Sequence, residues 1–234
     1  MTIEPAGSLL DMSKLFHYTA PMTADVGHLS AAPASAVVLA GGKSSRLGAD
    51  KSLLLLDGRP LIARTIQVLS TLSDDLIVVT NTPERLEPLG LAANLVTDER
   101  PGEGSLMGIY SGLKAARHPY ALVVACDMPF LNPPLLRYML SMVPGYDVII
   151  PRLAGMLEPL HAVYGRTCLP WMARLLDEGE RKIVAFLPYV IVRHLEEHEI
   201  DRFDPLHLSF VNINTPQDWE QVQGLLSTRN SSPQ

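Results

Sequence analysis

Short apolar runs rich in β-branched residues alternate with segments of helical periodicity, and this alternation limits the folds open to the chain more than any other feature. The runs lie at 36–39, 76–80, 94–97, 121–125, 148–150, 160–164 and 210–213, and the helical patterns lie at 60–72, 105–116 and 133–142. A helix start follows at Thr215–Pro216, where a capping residue precedes a proline. Such alternation predicts an α/β fold, in which helices cover both faces of a mostly parallel, twisted sheet.

Polar or glycine residues follow the first four runs at the point where each run ends. Gly41 follows the first run, Asn81 the second, Asp98 the third and Asp127 the fourth. Because ligands of open α/β sheets bind outside the carboxyl ends of the strands, we expect these four positions to share one site.

Length and charge exclude several classes of protein. A chain of 234 residues, 47% of them hydrophobic, can bury one full α/β core. No apolar run approaches the roughly 18 residues of a membrane span. A formal charge of −6 argues against a general nucleic-acid binder, whose domain would be basic. We therefore expect no membrane or nucleic-acid partner.

The ends of the chain differ in composition from its middle. Residues 1–34 contain scattered prolines and glycines and lack the features of a signal peptide, and residues 227–234 are polar. We predict a flexible extension over 1–34, a folded domain over 35–226 and a flexible tail over 227–234. Cys126 and Cys168 lie far apart without metal-binding spacing, which favours a reducing cytoplasm.

Residues 37–52 join an apolar run to a glycine-rich loop that carries Lys43, Arg46 and Lys51. Glycines let phosphates approach backbone N–H groups, and the cations can follow an anion. The loop is not a P-loop, because Gly48 is not followed by lysine, and its glycines lack the dinucleotide-binding spacing. The alternative is an ordinary glycine turn with a solvated basic face.

Asp127 stands directly after the run at 121–125, with Pro129 stiffening the turn beyond it. A carboxylate at a strand end suits Mg²⁺, which takes one or two carboxylates together with phosphate oxygens. The alternative is that Asp127 only caps the turn. Cys126 is expected to fill space rather than to act as a nucleophile.

The glycine-rich loop resembles the signature L-A-G-G-x-S-x-R-M-G-x-D-K of the MobA family, the molybdenum cofactor guanylyltransferases among the nucleotidyltransferases. Leu39–Gly42, Ser44, Arg46, Gly48 and Asp50–Lys51 match that signature, and Leu47 stands where methionine is usual. Further segments resemble family elements in family order: 102–108, with Ser105 where proline is usual, 126–129, 158–164, 179–182 and 210–216.

This resemblance implies a Rossmann-like three-layer fold of the nucleotide-diphospho-sugar-transferase type and transfer of GMP from GTP to Mo-molybdopterin, with release of pyrophosphate. It also implies a Mg²⁺ ion bound by Asp127, catalytic charge balance by Arg46 and Lys51, and delivery of the product to a recipient molybdoenzyme or another cofactor-handling protein. The implied nucleotide-binding residues are Leu39, Ala40, Gly41, Gly42, Lys51, Asn81, Asp98 and Asp127. The implied acceptor-binding residues are His161, Arg181, Lys182, Asn212 and Asn214.

Other interpretations remain open at this point. A sibling enzyme using CTP or another acceptor would share the loop, the metal and the architecture, and a non-catalytic nucleotide- or cofactor-binding module would share the frame. Among single residues, Asn81 fits ordinary turn chemistry, His161 fits a core position on a half-buried strand, and Arg181 and Lys182 fit a solvated surface.

Overall fold

A computed structural model describes residues 32–41 and 50–230 of the chain. The strands are β1 (Ala34–Leu39), β2 (Leu55–Leu56), β3 (Arg59–Pro60), β4 (Leu76–Val79), β5 (Asn94–Val96), β6 (Tyr120–Ala125), β7 (Val148–Leu153), β8 (Met156–Leu157), β9 (His161–Gly165) and β10 (Val192–Glu196). The α-helices are α1 (Leu61–Leu69), α2 (Pro83–Leu86), α3 (Ser105–Ala115), α4 (Pro133–Ser141), α5 (Leu169–Asp177), α6 (Glu197–Ile200) and α7 (Pro216–Asn230). Short 3₁₀ helices lie at Lys51–Leu53, Glu87–Leu89, Arg166–Cys168, Ile183–Tyr189 and Leu208–Phe210.

Eight strands form the main sheet, in the order β10-β7-β9-β6-β1-β4-β5, with β8 paired to β7. The strands β6, β1, β4 and β5 run parallel to one another, and β10 runs parallel to β7. The strand β9 is antiparallel to both of its neighbours. The carboxyl ends of β1, β4, β5 and β6 therefore meet at one edge, which confirms the mostly parallel α/β fold.

Side chains of β1 alternate between the two faces of the sheet, and every residue of this strand is buried. Ala36 and Val38 pack into a core formed with α1, α4 and α6, whereas Val37 and Leu39 pack into a second core with α3 and α5. Burial on both faces explains the continuous apolar run that the sequence shows here. The result is a three-layer arrangement around a central strand that leads to the glycine-rich loop.

Helix α3 approaches the sheet very closely through Gly112. A Cβ atom at this position would lie 2.5 Å from Cγ1 of Val37 and 3.2 Å from Cγ2 of Val79. One turn earlier, a Cβ atom on Gly108 would lie 3.3 Å from Leu39. The two glycines bring the N-terminal end of α3 close to the ends of β1 and β4.

A third, smaller core joins the C-terminal helix to the segment that follows the glycine-rich loop. Leu56 and Leu61 pack there with Phe130, Ile213 and Leu225. The β2–β3 hairpin that carries Leu56 turns through Asp57 and Gly58, both at positive φ. This packing brings the start of α7 beside the 3₁₀ turn at Lys51–Leu53.

The expected strand at 210–213 is wrong. The Asp204 carboxylate accepts hydrogen bonds from the backbone N–H groups of Leu208 and Ser209, at 3.0 and 2.8 Å, and bends the chain into a 3₁₀ turn. Beyond that turn, the backbone N–H of Ile213 bonds to the carbonyl oxygen of Asp127 at 3.1 Å.

The predicted boundaries of the folded domain can be compared with the described residues at both ends. The extension over 1–34 falls outside them up to residue 31, and β1 begins at Ala34. Helix α7 continues to Asn230, four residues past the predicted domain end at 226. Within the described ranges, no helix combines the length and apolar character that crossing a membrane requires.

Candidate active site

An open cleft of about 1060 Å³ lies at the carboxyl ends of β1, β4 and β6. Its floor is formed by the strand ends and its rim by the loop before α3 and by the segment around Lys51. Its lining includes Leu39, Ala40, Gly41, Asp50, Lys51, Asn81, Arg85, Asp98, Gly102, Gly104, Gly108, Cys126 and Asp127. A cleft of this size admits a nucleotide-sized ligand.

Lys51 joins three distant parts of the chain in this cleft. Its Nζ atom donates to Oδ2 of Asp127 at 3.0 Å and to Oδ1 of Asn214 at 2.7 Å. Both charged side chains are largely buried, with Lys51 19% and Asp127 16% exposed. An ion pair at this depth is screened less by solvent than a surface pair. A cation, a carboxylate and an amide therefore converge on one point.

Local backbone contacts fix each member of this group. Asp50 begins the 3₁₀ turn that carries Lys51, accepting at Oδ1 from the N–H of Ser52 at 3.1 Å. The backbone N–H of Cys126 donates to the carbonyl oxygen of Leu39 at 3.1 Å and so holds Asp127 beside the end of β1.

Asn214 is held in place by the cap of α7. The Oδ2 atom of Asp218 accepts from the N–H groups of Asn214 and Thr215, at 2.8 and 2.7 Å. In return, Oγ1 of Thr215 accepts from the N–H of Asp218 at 3.1 Å. These reciprocal bonds form a cap that satisfies the free N–H groups of the helix start. Asp218 thereby fixes the backbone that carries Asn214.

Asn81 and Asp98 pair with each other farther along the cleft, at the ends of β4 and β5. Nδ2 of Asn81 donates to Oδ2 of Asp98 at 2.8 Å, and the N–H of Asp98 donates back to Oδ1 of Asn81 at 3.2 Å. Burial raises the pKa of the Asp98 carboxyl above its ordinary value. Within the described part of the chain, its Oδ1 atom has no hydrogen-bond partner.

The backbone at the end of β1 forms an open wall of the cleft. Ala40 is held by a bond from its N–H to the carbonyl oxygen of Val79 at 2.9 Å, and no atom lies within 4 Å of where a Cβ atom of Gly41 would stand. Leu39, Ala40 and Gly41 therefore line the cleft as the sequence predicts. Two predicted residues, Gly42 and Arg46, lie outside the described residues.

His161 does not lie on the cleft surface. The side chain is fully buried, its ring centroid lies 4.6 Å from that of Phe210, and both ring nitrogens lack a hydrogen-bond partner among the described residues. Burial lowers the pKa of His161 to about 3. This placement corrects the expectation of a histidine exposed to an acceptor phosphate, because Phe210 packs against its ring and the neutral imidazole carries no charge for an anion.

The remaining predicted acceptor residues are spread around the site. Arg181 pairs with Oε1 of Glu103 at 3.1 Å, in the loop at the cleft rim, whereas Glu180 accepts from the backbone N–H of Lys182 at 2.8 Å. Nδ2 of Asn212 donates to the carbonyl oxygen of Phe210 at 3.1 Å. Asn214 contacts the Lys51–Asp127 pair through Lys51. The acceptor roles of Arg181, Lys182, Asn212 and Asn214 all stay predictions.

The Asp127 carboxylate fits a site in which Mg²⁺ takes most of its ligands from the substrate and from water. Within the described ranges, no cluster of three or more metal-ligating side chains is present. Mg²⁺ needs no such cluster in phosphoryl-transfer sites, because one or two carboxylates, water and substrate phosphates complete its shell. The Asp127 carboxylate lines the cleft and could supply one such ligand.

Two residues make contacts that the sequence patterns did not indicate. Asp218 orients Asn214 through the backbone, and Arg85 lines the cleft with its guanidinium 3.6 Å from Oδ2 of Asp50. The T-P-E-R sequence at 82–85 predicts a short helix start but not its contact with residue 50, which is 35 positions away.

Helices cover both faces of the sheet, and a charged cleft lies at the carboxyl ends of its strands. This arrangement defines an α/β protein of the nucleotide-binding type. The chain belongs to the family described as the MobA-like NTP transferase domain, whose model matches residues 36–218. It is therefore a nucleotidyltransferase, as the resemblance in the loop predicted, and its family implies a nucleotide substrate.

Relatives and solved structures agree with this assignment. The chain is 38% identical over 192 residues to the molybdenum cofactor guanylyltransferase of Desulfosudis oleivorans, covering 81% of this chain and 94% of that protein. It is also 38% identical over 196 residues to the probable molybdenum cofactor guanylyltransferase of Natranaerobius thermophilus, covering 82% and 96%. The molybdopterin-guanine dinucleotide biosynthesis protein A of Archaeoglobus fulgidus superposes with a TM-score of 0.73 at 29% identity, covering 83% and 99%.

Proposed function

We propose that this protein transfers GMP from GTP to the terminal phosphate of Mo-molybdopterin and releases pyrophosphate. The observation that carries the proposal is the convergence of Lys51, Asp127 and Asn214 in the cleft. The carboxylate can bind a metal ion, and the neighbouring cation can pair with the phosphate group that the metal binds. The relatives that align over most of the chain are named molybdenum cofactor guanylyltransferases, which supports guanine as the base.

Little covalent chemistry falls to the protein in such a transfer, since phosphoryl-type reactions are catalysed mainly by positioning and charge neutralisation. Asp127 would hold Mg²⁺, which would supply positive charge to the nucleotide phosphates. Lys51 neutralises charge on the α-phosphate and on the departing pyrophosphate. Leu39, Ala40 and Gly41 hold the nucleotide along their backbone, and Asn81 and Asp98 bind it farther along the cleft.

No side-chain nucleophile or base is required. The second pKa of a phosphate monoester is about 6, so the acceptor phosphate is largely ionised at neutral pH. Cys126 also lies in the cleft, but burial raises the pKa of its thiol well above the ordinary range. The thiol therefore stays protonated, which supports direct attack by the acceptor phosphate on the α-phosphate.

Asn214 is the acceptor-side residue that this arrangement favours. Its amide oxygen accepts from the same Nζ atom of Lys51 that donates to Asp127, and its backbone is fixed by Asp218. Arg46, Gly42, Asn212, Arg181 and Lys182 keep the roles that the family resemblance implies, as proposals. We also propose that the reaction takes place in the cytoplasm, in line with two free cysteines among the described residues, and that a molybdoenzyme receives the product.

The test is product analysis with purified protein, Mg²⁺, Mo-molybdopterin and each of the four nucleoside triphosphates in turn. The proposal predicts pyrophosphate and a guanine dinucleotide cofactor with GTP. A clear preference for CTP would replace the guanylyltransferase with a sibling enzyme. Nucleotide binding without pyrophosphate release from any pairing would favour a non-catalytic binding module.

A further inference from the structure

We propose that Arg85 is a further nucleotide-binding residue and that its guanidinium contacts the β- and γ-phosphates, the part of the nucleotide that leaves as pyrophosphate. The inference rests on the proposed function in taking a nucleoside triphosphate as the substrate and in placing its α-phosphate at Lys51 and Asp127. It does not depend on the base or on the acceptor.

Arg85 is presented to the cleft by a short helix that is anchored from behind. Leu86, the next residue, is 1% exposed and packs in the core beside α1. The turn before the helix is held by a bond of 3.2 Å from the N–H of Thr82 to Oγ1 of Thr80. Arg85 itself is 57% exposed and lines the cleft. The backbone is therefore fixed while the guanidinium is free to meet a ligand.

The charges that line the cleft favour a role for Arg85 in binding phosphate. Among the described lining residues, the carboxylates of Asp50, Asp98 and Asp127 face two cations, Lys51 and Arg85. Lys51 already donates to Asp127 and Asn214. A nucleoside triphosphate adds several negative charges to this acidic surface, and a metal ion at Asp127 offsets only part of them.

Within the described part of the chain, the guanidinium N–H groups of Arg85 still have capacity to bind a ligand. Its Nη1 atom lies 3.6 Å from Oδ2 of Asp50, an ion-pair distance longer than a good hydrogen bond, and its guanidinium makes no side-chain hydrogen bond there. Phosphate oxygens accept two parallel N–H bonds from a guanidinium fork, which a distant carboxylate does not. A bound phosphate would therefore compete well with Asp50 for this side chain.

Position along the cleft indicates which phosphates are contacted. Lys51 and Asp127 occupy the point where the proposed function puts the α-phosphate. The Arg85 side chain is 57% exposed, against 19% for Lys51 and 16% for Asp127, so it lies nearer to solvent than they do. The phosphates that extend outward past Lys51 are the β- and γ-phosphates.

The experiment compares binding of GTP and GMP, each with Mg²⁺, by calorimetry in the wild type, Arg85→Ala, Arg85→Lys and Arg174→Ala. Arg174 is the matched control, because it is 62% exposed and sits in an ion pair with Glu178 outside the cleft. The proposal predicts that Arg85→Ala weakens GTP binding by about 10- to 100-fold, the usual worth of a charge-assisted hydrogen bond. GMP binding should change by less than about twofold, and Arg85→Lys should fall between.

Equal loss for GTP and GMP in Arg85→Ala would overturn the proposal and leave Arg85 as a structural partner of Asp50. Unchanged GTP binding would overturn it too. Thermal melting reports whether each variant folds, and loss of an exposed ion pair should alter stability little. If the wild type binds CTP rather than GTP, the guanine assignment fails, and Arg85 is judged by the same comparison of CTP with CMP.

Discussion

At the scale of single residues, Lys51 has the largest predicted effect on activity. Replacing it with alanine removes the cation that faces the α-phosphate and leaves the partly buried Asp127 without its partner. We expect Lys51→Ala to lower the rate of pyrophosphate release by roughly 10² to 10³, as for other single electrostatic stabilisers. The control is Lys114→Ala, an exposed lysine that pairs with Glu99 outside the cleft. Undiminished turnover in Lys51→Ala would contradict the assigned role.

His161 gives a prediction about acid stability. Its pKa is about 3 in the folded protein and about 6.5 in the unfolded chain, so only the unfolded chain binds a proton between these values. Stability from this group is complete above about pH 6.5 and is lost as the pH falls, by at most about 1.4 kcal/mol per pH unit.

The measurement is the denaturant midpoint of the wild type and His161→Leu between pH 7 and pH 4. The variant should lose less stability on acidification, and the other histidines cancel in the comparison. His198→Leu, at an exposed position, serves as the control and should follow the wild type. Parallel curves for the wild type and His161→Leu would show that residue 161 is not kept neutral by burial.

The family motifs are local, and they led to two residues that the structure brings into one cleft. Asp127 follows the end of β6, Lys51 lies in the segment after β1, and both line the cleft, while their roles stay predictions. The burial of His161 could not be predicted. Alternation along β9 indicates on which face of the sheet the ring lies, but it does not show that Phe210 covers that face. Arg85 was missed for a similar reason, since its contact with Asp50 depends on how two distant segments pack.

At the scale of elements, the start of α7 acts as a support for the acceptor side of the site. The Asp218 carboxylate fixes the backbone of Asn214, so Asp218→Ala should cost about 1 kcal/mol of stability through loss of the cap. It should also lower the transfer rate by roughly 10- to 100-fold, because Asn214 moves away from Lys51.

Rescue distinguishes positioning from stability in this prediction. Asp218→Asn keeps an acceptor oxygen and should restore most of the transfer rate, while the control Gln217→Ala, at an exposed position, should leave it unchanged. Transfer rates are measured well below the melting temperature of each variant. Equal activity of Asp218→Ala and the wild type would remove Asp218 from the positioning role.

Elements with strong local signals matched their predictions, and elements whose local signal was weak or misleading did not. The expected helices at 105–116 and 133–142 appear as α3 and α4 with ends shifted by one residue. The expected strand at 210–213 failed because its backbone bonds to the carbonyl oxygen of Asp127 rather than to a strand. The edge strand β10 was not predicted, because its sequence Val-Arg-His-Leu-Glu lacks a continuous apolar run.

At the scale of the whole molecule, the site depends on two cores that meet at the cleft. Close packing of Gly112 against Val37 holds α3 against the sheet. The small core around Leu56 and Leu225 brings α7 beside Lys51. The α/β class followed from the sequence because alternation of strands and helices fixes it. The antiparallel strand β9 did not follow, since strand direction depends on connections that patterning does not show.

Selection of guanine is the central claim for the whole enzyme. The most direct measurement is the rate of pyrophosphate release from GTP and from CTP by the full chain, with Mg²⁺ and Mo-molybdopterin and with identification of the dinucleotide formed. The account predicts a guanine dinucleotide cofactor, formed with GTP and lost in Lys51→Ala. Formation of a cytosine dinucleotide in preference to the guanine product, or release of pyrophosphate that does not depend on Mo-molybdopterin, would contradict it.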